Sequence, residues 1–495
     1  LKRPFLALCL SLVILGWLKP LDSGQTPNSS QKLWENDVRI GEDIDSIYAI
    51  SFDVCRQNGN LFLALLFQDG DATRLKSAFS SDGGENWWID RSLLKSGVYK
   101  MNAVSGTVLG NYFFFAHTYG AANTGIDIYR ARISDGRRVR FPNDSEFVRL
   151  TPQAVGDSIK EIVLVSDQDF LGRYLNLFFI TSSCTLKYFY SDTAGYRWFQ
   201  IPTGVTDAKR GLDACTNEGY DTNYAFVSYI TTTDSLEVDG FTYNGARDRL
   251  IRSWVGPLAR FTSVGAYHDT VIAVYERSGY NAPYYCLSQT SFNGGRSWYL
   301  GIPGGEDTTY TICAPDVACR ARGGQGVVYF YGTGGGRRPR YTWRNYRGPW
   351  STPVEFGDYQ PRNDARPAIE YLGDNVYGCV YLSANPVYGA AYFDRTVWTG
   401  VEESELTRSY PIPLTITPNP GRTKIKLNYS CSRAGKVRIA IYDPSGRLVL
   451  TPVVGIQPAG DHALNLDTHS LTAGVYLVRI ATPDGLTTAP LTISR

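Results

Sequence analysis

The chain is poor in the residues that build metal centres. Its 495 residues include four histidines, at 117, 268, 462 and 469, and one methionine. Neither an HExxH nor a CxxC spacing occurs, so the sequence offers no zinc site. Neither sign of charge is in surplus. Lys+Arg is 49 and Asp+Glu is 47, a net charge of +2, which argues against a nucleic-acid binder. Charged residues make up 19%, below the usual ~25%, and the chain is not of the disordered class. No apolar run reaches the ~20 residues of a transmembrane helix. Coiled-coil, collagen-like and multi-span membrane chains are excluded on composition.

Glycine (49 residues) and aromatics (13%, with 34 Tyr and 10 Trp) are plentiful. That mixture favours many short strands joined by tight turns. At the N-terminus, Lys2 and Arg3 precede an apolar run from Phe5 to Leu18, and small residues Ser23 and Gly24 follow. This layout predicts an export signal over residues 1–24. Eight cysteines lie beyond it, at 55, 184, 215, 286, 313, 319, 379 and 431. An even count in an exported chain permits disulfides. The spacing is irregular and leaves the pairing open, and buried free thiols fit as well.

Three octets resemble one another. Ser80-Ser-Asp82-Gly-Gly84-Glu-Asn-Trp87 is matched position by position by Ser291-Phe-Asn293-Gly-Gly295-Arg-Ser-Trp298. Ser191-Asp-Thr-Ala-Gly195-Tyr-Arg-Trp198 is a degraded copy. Each stands between two strand-like runs, as a hairpin turn does. These octets resemble the Asp box of sialidase-like (BNR repeat) β-propellers, Ser-x-Asp-x-Gly-x-Thr-Trp. The resemblance implies blades of four strands, with the box joining the third and fourth and lying away from the ligand face. First strands then centre near Ser51, Val104, Glu161, Asp213, Gly265, Asp316 and Ile369, steps of about 50 residues typical of a blade repeat. The expected fold is all-β: a seven-bladed propeller over 31–400. Residues 31–40 should close the ring in blade seven, with Trp34 in the place of Trp87. Closure removes open sheet edges.

A linker is expected over 401–413 and a small β-sandwich over 414–495, from about seven short strands with turn signals between them. This tail resembles the type A sorting domain of the type IX (Por) secretion system. The residues concerned are Asn419-Pro420, Ile441-Tyr442-Asp443-x-x-Gly446, Pro458-x-Gly460 and Leu471-x-x-Gly474-Val475-Tyr476. The resemblance implies delivery by outer-membrane secretion machinery to the outer surface of a Gram-negative-type bacterium, or beyond it.

The chemistry of the propeller is less marked. Paired carboxylates of a glycoside hydrolase could come from Asp157, Asp213, Asp316 and Asp364, though a turn-capping role suits each of them. A ligand face could use Tyr119, Tyr243, Tyr280 and Tyr388 for stacking and Arg277, Arg337, Arg338 and Arg366 for polar contact. Asp69-Gly70-Asp71 is a possible calcium loop, but two carboxylates fall short of one. Sialidase chemistry finds thin support. Arg39-Ile40-Gly41 lacks the proline of the family's Arg-Ile-Pro, and seven units are counted where sialidases have six. The expected role is non-catalytic binding of a glycan or protein, with a glycoside hydrolase and a structural surface component as alternatives. No cofactor or nucleic acid is expected.

Overall fold

A computed structural model describes residues 37–396 and 414–494, apart from short internal stretches of which the longest is 304–312. The expected signal segment, the Trp34 half of the closing segment and the linker lie outside the described residues.

The propeller consists of seven antiparallel sheets, each of four strands or more. Seven inner strands run side by side: Ile47–Val54, Val104–Leu109, Ile159–Ser166, Ala208–Thr216, Thr262–Tyr267, Asp316–Cys319 and Ala368–Gly373. Within blades 1 to 6 the strands follow in sequence order from the axis outward. Blade 7 takes its outer strand from the other end of the chain. Val38–Ile40 pairs antiparallel with Ala391–Arg395, with Val38 opposite Phe393 and Ile40 opposite Ala391. The first and last parts of the propeller thus share one sheet.

Second strands are covered by a blade on each side, so they read as unbroken apolar runs. Leu61–Phe67 and Leu175–Thr181 are buried throughout. The interior divides accordingly. Each interface between neighbouring blades holds its own apolar cluster, from Phe52 and Phe393 between blades 1 and 7 to Tyr341 and Tyr377 between blades 6 and 7.

Two devices fasten the outermost strands, and they alternate. Blades 1, 3 and 5 use the octets. Ser80 Oγ accepts the Gly84 N–H at 2.9 Å, and Trp87 Nε1 donates to the Gly84 carbonyl at 3.0 Å. The same two bonds recur at Ser191, Gly195 and Trp198 (3.0 and 2.9 Å) and at Ser291, Gly295 and Trp298 (both 2.8 Å). Asp82 and Asn293 each accept a backbone N–H four residues on, and Thr193 Oγ1 does the same in the degraded copy. Gly84 has φ +98°, and a Cβ there would collide with Phe393 of blade 7. Glycine therefore serves both the turn and the approach of one blade to the next.

Blades 2, 4 and 6 use ion pairs between the third and fourth strands. Asp127 stands opposite Arg149, Glu237 opposite Arg252, and Arg340 opposite Glu355. Asp127 and Arg149 are bidentate at 2.7 and 2.9 Å, and Arg340 reaches Glu355 at 2.8 Å. Glu237 is fully buried and also meets Arg247 at 2.8 Å.

The tail forms two sheets. Leu414–Thr417, Lys424–Cys431 and Gly460–Asp467 make one. Leu448–Gln457, Gly435–Tyr442, Gly474–Thr482 and Gly485–Ile493 make the other. Leu427 and Leu466 of the first pack with Val437, Ile439, Val478 and Leu491 of the second in one core.

Candidate functional site

The inner strands surround a cavity of about 340 Å3 on the propeller axis. Asp53, Asp213, Asp316, Asp364, Arg366 and Glu370 line it. Three of the four proposed carboxylates are therefore brought together. Asp157 is not. It lies at a turn, where the Ser182 hydroxyl and the Ser183 N–H reach it at 2.6 and 2.8 Å. Partial burial works against its charge, but the hydrogen bonds from Ser182, Ser183 and Thr181 prevail and hold the carboxyl down to about 2.

The axial acids have a recurrent task that sequence reading did not find. Neighbouring inner strands do not hydrogen-bond to each other as a sheet, so their facing N–H groups need acceptors. Side chains of the preceding blade supply them. Asp53 accepts Val108 N–H at 2.7 Å, and the Ser105 hydroxyl accepts Leu164 N–H at 2.9 Å. Glu161 accepts Gly211 and Leu212 N–H at 3.1 and 2.7 Å. Asp213 accepts Val264 N–H and the Ser263 hydroxyl, both at 2.9 Å. Asp316 accepts Ile369 N–H at 2.9 Å. The signal was present in the sequence as an Asp, Glu or Ser within most first strands.

Arg366 binds two of these acids, Asp213 at 3.1 Å and Asp316 at 3.9 Å, and donates to the Thr262 carbonyl at 2.8 Å. It lines the cavity as a counter-ion between the two acids. Burial pushes the Asp316 carboxyl up to about 6 against the pull of Arg366. Burial also raises Asp53, Glu161 and, far more, Glu370, where the charge of Asp53 on the adjoining inner strand adds to the effect. Asp364 moves the other way because Arg362 grips it at 2.8 Å.

The remaining proposed residues divide by location. Arg337 is 1% exposed and donates to the Pro361 carbonyl at 2.6 Å, so it belongs to the interior. It stands just before the third strand, Arg338–Arg344. Arg338 is half-buried and donates to the Arg337 carbonyl at 3.0 Å, and Arg277 is exposed. Tyr243, Tyr280 and Tyr388 lie outside the described residues, as do Gly70 and Asp71. Asp69 pairs with Arg74.

Tyr119 is 38% exposed, at the end of a second strand, on the face that carries the links between second and third strands. The Arg149 guanidinium lies 3.6 Å from its ring centre. Blade 6 repeats the arrangement. Tyr331 ends the second strand, and Arg340 lies 3.4 Å from its ring centre. Asp127 and Arg340 each stand opposite the residue two before that tyrosine, His117 and Tyr329. The two units share a register, but the ion pair is reversed: the acid is on the third strand in blade 2 and on the fourth in blade 6. Each places an aromatic ring, a guanidinium and a carboxylate side by side on the outer half of a blade.

No helix among the described residues is long and apolar enough to cross a membrane. Residues 415–494 match the family described as "Secretion system C-terminal sorting domain". The chain thus carries a type IX sorting domain, which directs it to the cell surface or the extracellular space. No curated protein matches the sequence. Among solved structures, the chain is similar to the BP39L lectin from Burkholderia pseudomallei. The match has 14% identity and a TM-score of 0.52, and covers 72% of this chain and 98% of the lectin. It also matches an alpha-L-arabinofuranosidase from Fusarium graminearum at 11% identity and TM-score 0.43, covering 73% of this chain and 98% of that one. A fucose-specific lectin from Aleuria aurantia matches at 8% identity and TM-score 0.40, covering 84% and 96%. At such identities the likeness to BP39L is one of fold: this chain is an all-β, seven-bladed propeller followed by a sorting domain.

Proposed function

We propose that the propeller is a non-catalytic, carbohydrate-binding module displayed outside the cell. The reading rests on the paired rim units of blades 2 and 6. Sugars are recognised by aromatic rings that cover their C–H faces and by planar donors and carboxylates that bond their hydroxyls. Tyr119 and Arg149 supply a ring and a planar donor, with Asp127 buried beneath them as the anchor of Arg149, and Tyr331, Arg340 and the exposed Glu355 supply a ring, a donor and a carboxylate. Asp127 engages Arg149 through Nε and Nη2, so the Nη1 hydrogens are not used by that carboxylate. Two similar units on one rigid ring would also gain avidity on a multivalent glycan. The fold likeness to a protein described as a lectin agrees with this reading, as does export.

A glycan array probed with the full chain tests it. Binding is expected, and should fall at least tenfold in Tyr119→Ala/Tyr331→Ala. Undiminished binding in that variant would refute the assignment of the site.

The second reading is a glycoside hydrolase acting in the axial cavity. It rests on Asp213 and Asp316 sharing Arg366, with Asp316 raised as an acid catalyst would be. Chromogenic glycosides tried alongside the array distinguish the two. Turnover lost in Asp316→Asn while the variant keeps its fold would favour the enzyme.

A further inference from the structure

Two of the eight cysteines beyond residue 24 share one buried cluster. Cys286 lies on the third strand of blade 5, Tyr284–Ser291. Cys313 lies in the connection that leads into blade 6. Their thiols are near enough for Cys286 to perturb Cys313. Both are buried, Cys286 to 3% and Cys313 to 0% exposure, in the same apolar cluster between the two blades. The backbone on each side is tied down. Cys286 stands opposite Glu276 in the sheet. Glu276 accepts Ala314 N–H at 2.6 Å, next to Cys313, and Arg260 N–H at 2.7 Å. The Cys313 carbonyl accepts Phe330 N–H at 2.7 Å, within blade 6. Both positions are thus set by hydrogen bonds independent of the sulfur atoms.

The sorting domain takes this chain out of the reducing cytoplasm, where disulfides are rare, into compartments where they persist. We propose that Cys286 and Cys313 form a disulfide in the exported protein, stapling blade 5 to the connection into blade 6. The oxidant is a dithiol-type disulfide, such as a periplasmic disulfide-exchange protein. One cysteine thiolate attacks a sulfur of that disulfide and expels a thiolate, giving a mixed disulfide. The second cysteine thiolate attacks the protein-side sulfur and expels the other thiolate. One S–S bond forms and one is broken. The two cysteines lose two electrons, and the oxidant gains them as two thiols that carry the two protons.

Order matters. Burial raises the Cys313 thiol far above its usual range, and the neighbouring Cys286 raises it further. A folded, reduced propeller therefore offers almost no thiolate for exchange. The bond forms while the exported chain is still folding, and the packed interface then shields it from reductants.

The test is a peptide map of the full chain, exported to an oxidising periplasm, denatured and alkylated without reductant. The expected result is a cross-linked peptide holding Cys286 and Cys313 that disappears on reduction. Recovery of both cysteines alkylated, or of either joined to a different cysteine, would overturn the proposal. A second measurement compares denaturation midpoints with and without dithiothreitol. Reductant should lower the midpoint of the natural sequence and leave Cys286→Ala/Cys313→Ala unchanged. An equal drop in the double variant would place the sensitive bond elsewhere and overturn it too.

Discussion

Asp213 separates a structural from a catalytic reading of the channel. Replacing it with alanine removes the acceptor for Val264 N–H and the Ser263 hydroxyl, both at 2.9 Å, and the partner of Arg366 at 3.1 Å. Hydrogen bonds to charged groups contribute about 1.5–3 kcal/mol each. They are not additive, because all three converge on one carboxylate. Removing one member of a buried pair costs about 3–5 kcal/mol. Arg366 keeps the Thr262 carbonyl and the more distant Asp316, so the lower end of that range applies, about 3–4 kcal/mol. Asp213→Asn keeps one carbonyl oxygen for Val264 and loses the charge, and should cost about half as much. Ser105→Ala removes the neutral cap of Leu164, a single bond at 2.9 Å, and should cost about 1–2 kcal/mol. Nine tryptophans fall within residues 31–400 and none lies beyond, so their fluorescence follows the propeller without interference from the sorting domain. Urea titration at constant slope then gives the order directly. A loss below about 1 kcal/mol for Asp213→Ala, or one no larger than for Ser105→Ala, would refute the cross-blade role.

Ser80→Ala should cost about 1–3 kcal/mol, because the buried Gly84 N–H loses its acceptor; a change within about 0.5 kcal/mol in the same titration would show the turn to be dispensable. Deleting residues 31–40 should lower the thermal midpoint of the whole propeller, since Val38–Ile40 is the outer strand of blade 7; differential scanning calorimetry would read an unchanged midpoint as evidence against closure. Stability should fall as pH rises from about 4 to 7. Asp316, Asp53, Glu161 and Glu370 are raised by burial, so the folded state holds more protons than the unfolded one in that window. Asp82 and Asp157, both at about 2, act oppositely, and their contribution is lost as pH falls from about 4 towards 2. Glu370→Gln should therefore raise the urea midpoint at pH 7 and flatten the pH profile, and a lowered midpoint would contradict this account of the channel.

The blade count and the second strands were legible because burial on two sides writes itself into composition. Runs such as Leu61–Phe67 have no other use in a chain with tight turns at this spacing. The octets were legible for a similar reason: a serine, a glycine and a tryptophan at fixed intervals are needed together by one turn, as the three bonded copies display. The even blades were silent. Their outer strands are held by ion pairs, and an ion pair is defined by strand register, which becomes visible only when the strands are paired. Asp127 and Arg149 are twenty-two residues apart in sequence and share a bidentate contact in space. Nothing local joins them. The reversal of the pair in blade 6 hides it further, since the motif conserves a geometry and exchanges the residues.

The same reasoning explains why the acids of the channel looked chemical and the rim did not. An isolated Asp in a strand near a propeller axis reads as a catalyst, because strands seldom carry buried carboxylates without cause. The cause here is topological. Seven separate sheets leave inner strands facing neighbours to which no ladder joins them, and a short acceptor side chain is the cheapest bridge. Four of the five cross-blade caps described are acids, so the channel accumulates negative charge as a by-product of its architecture. Arg366 between Asp213 and Asp316 relieves part of it. Function is then sought where a polar group is not already required by the fold. Tyr119 and Tyr331 meet that condition best: the ion pairs beneath them fasten strands, but neither fastening calls for an aromatic ring at the same end of two non-adjacent blades.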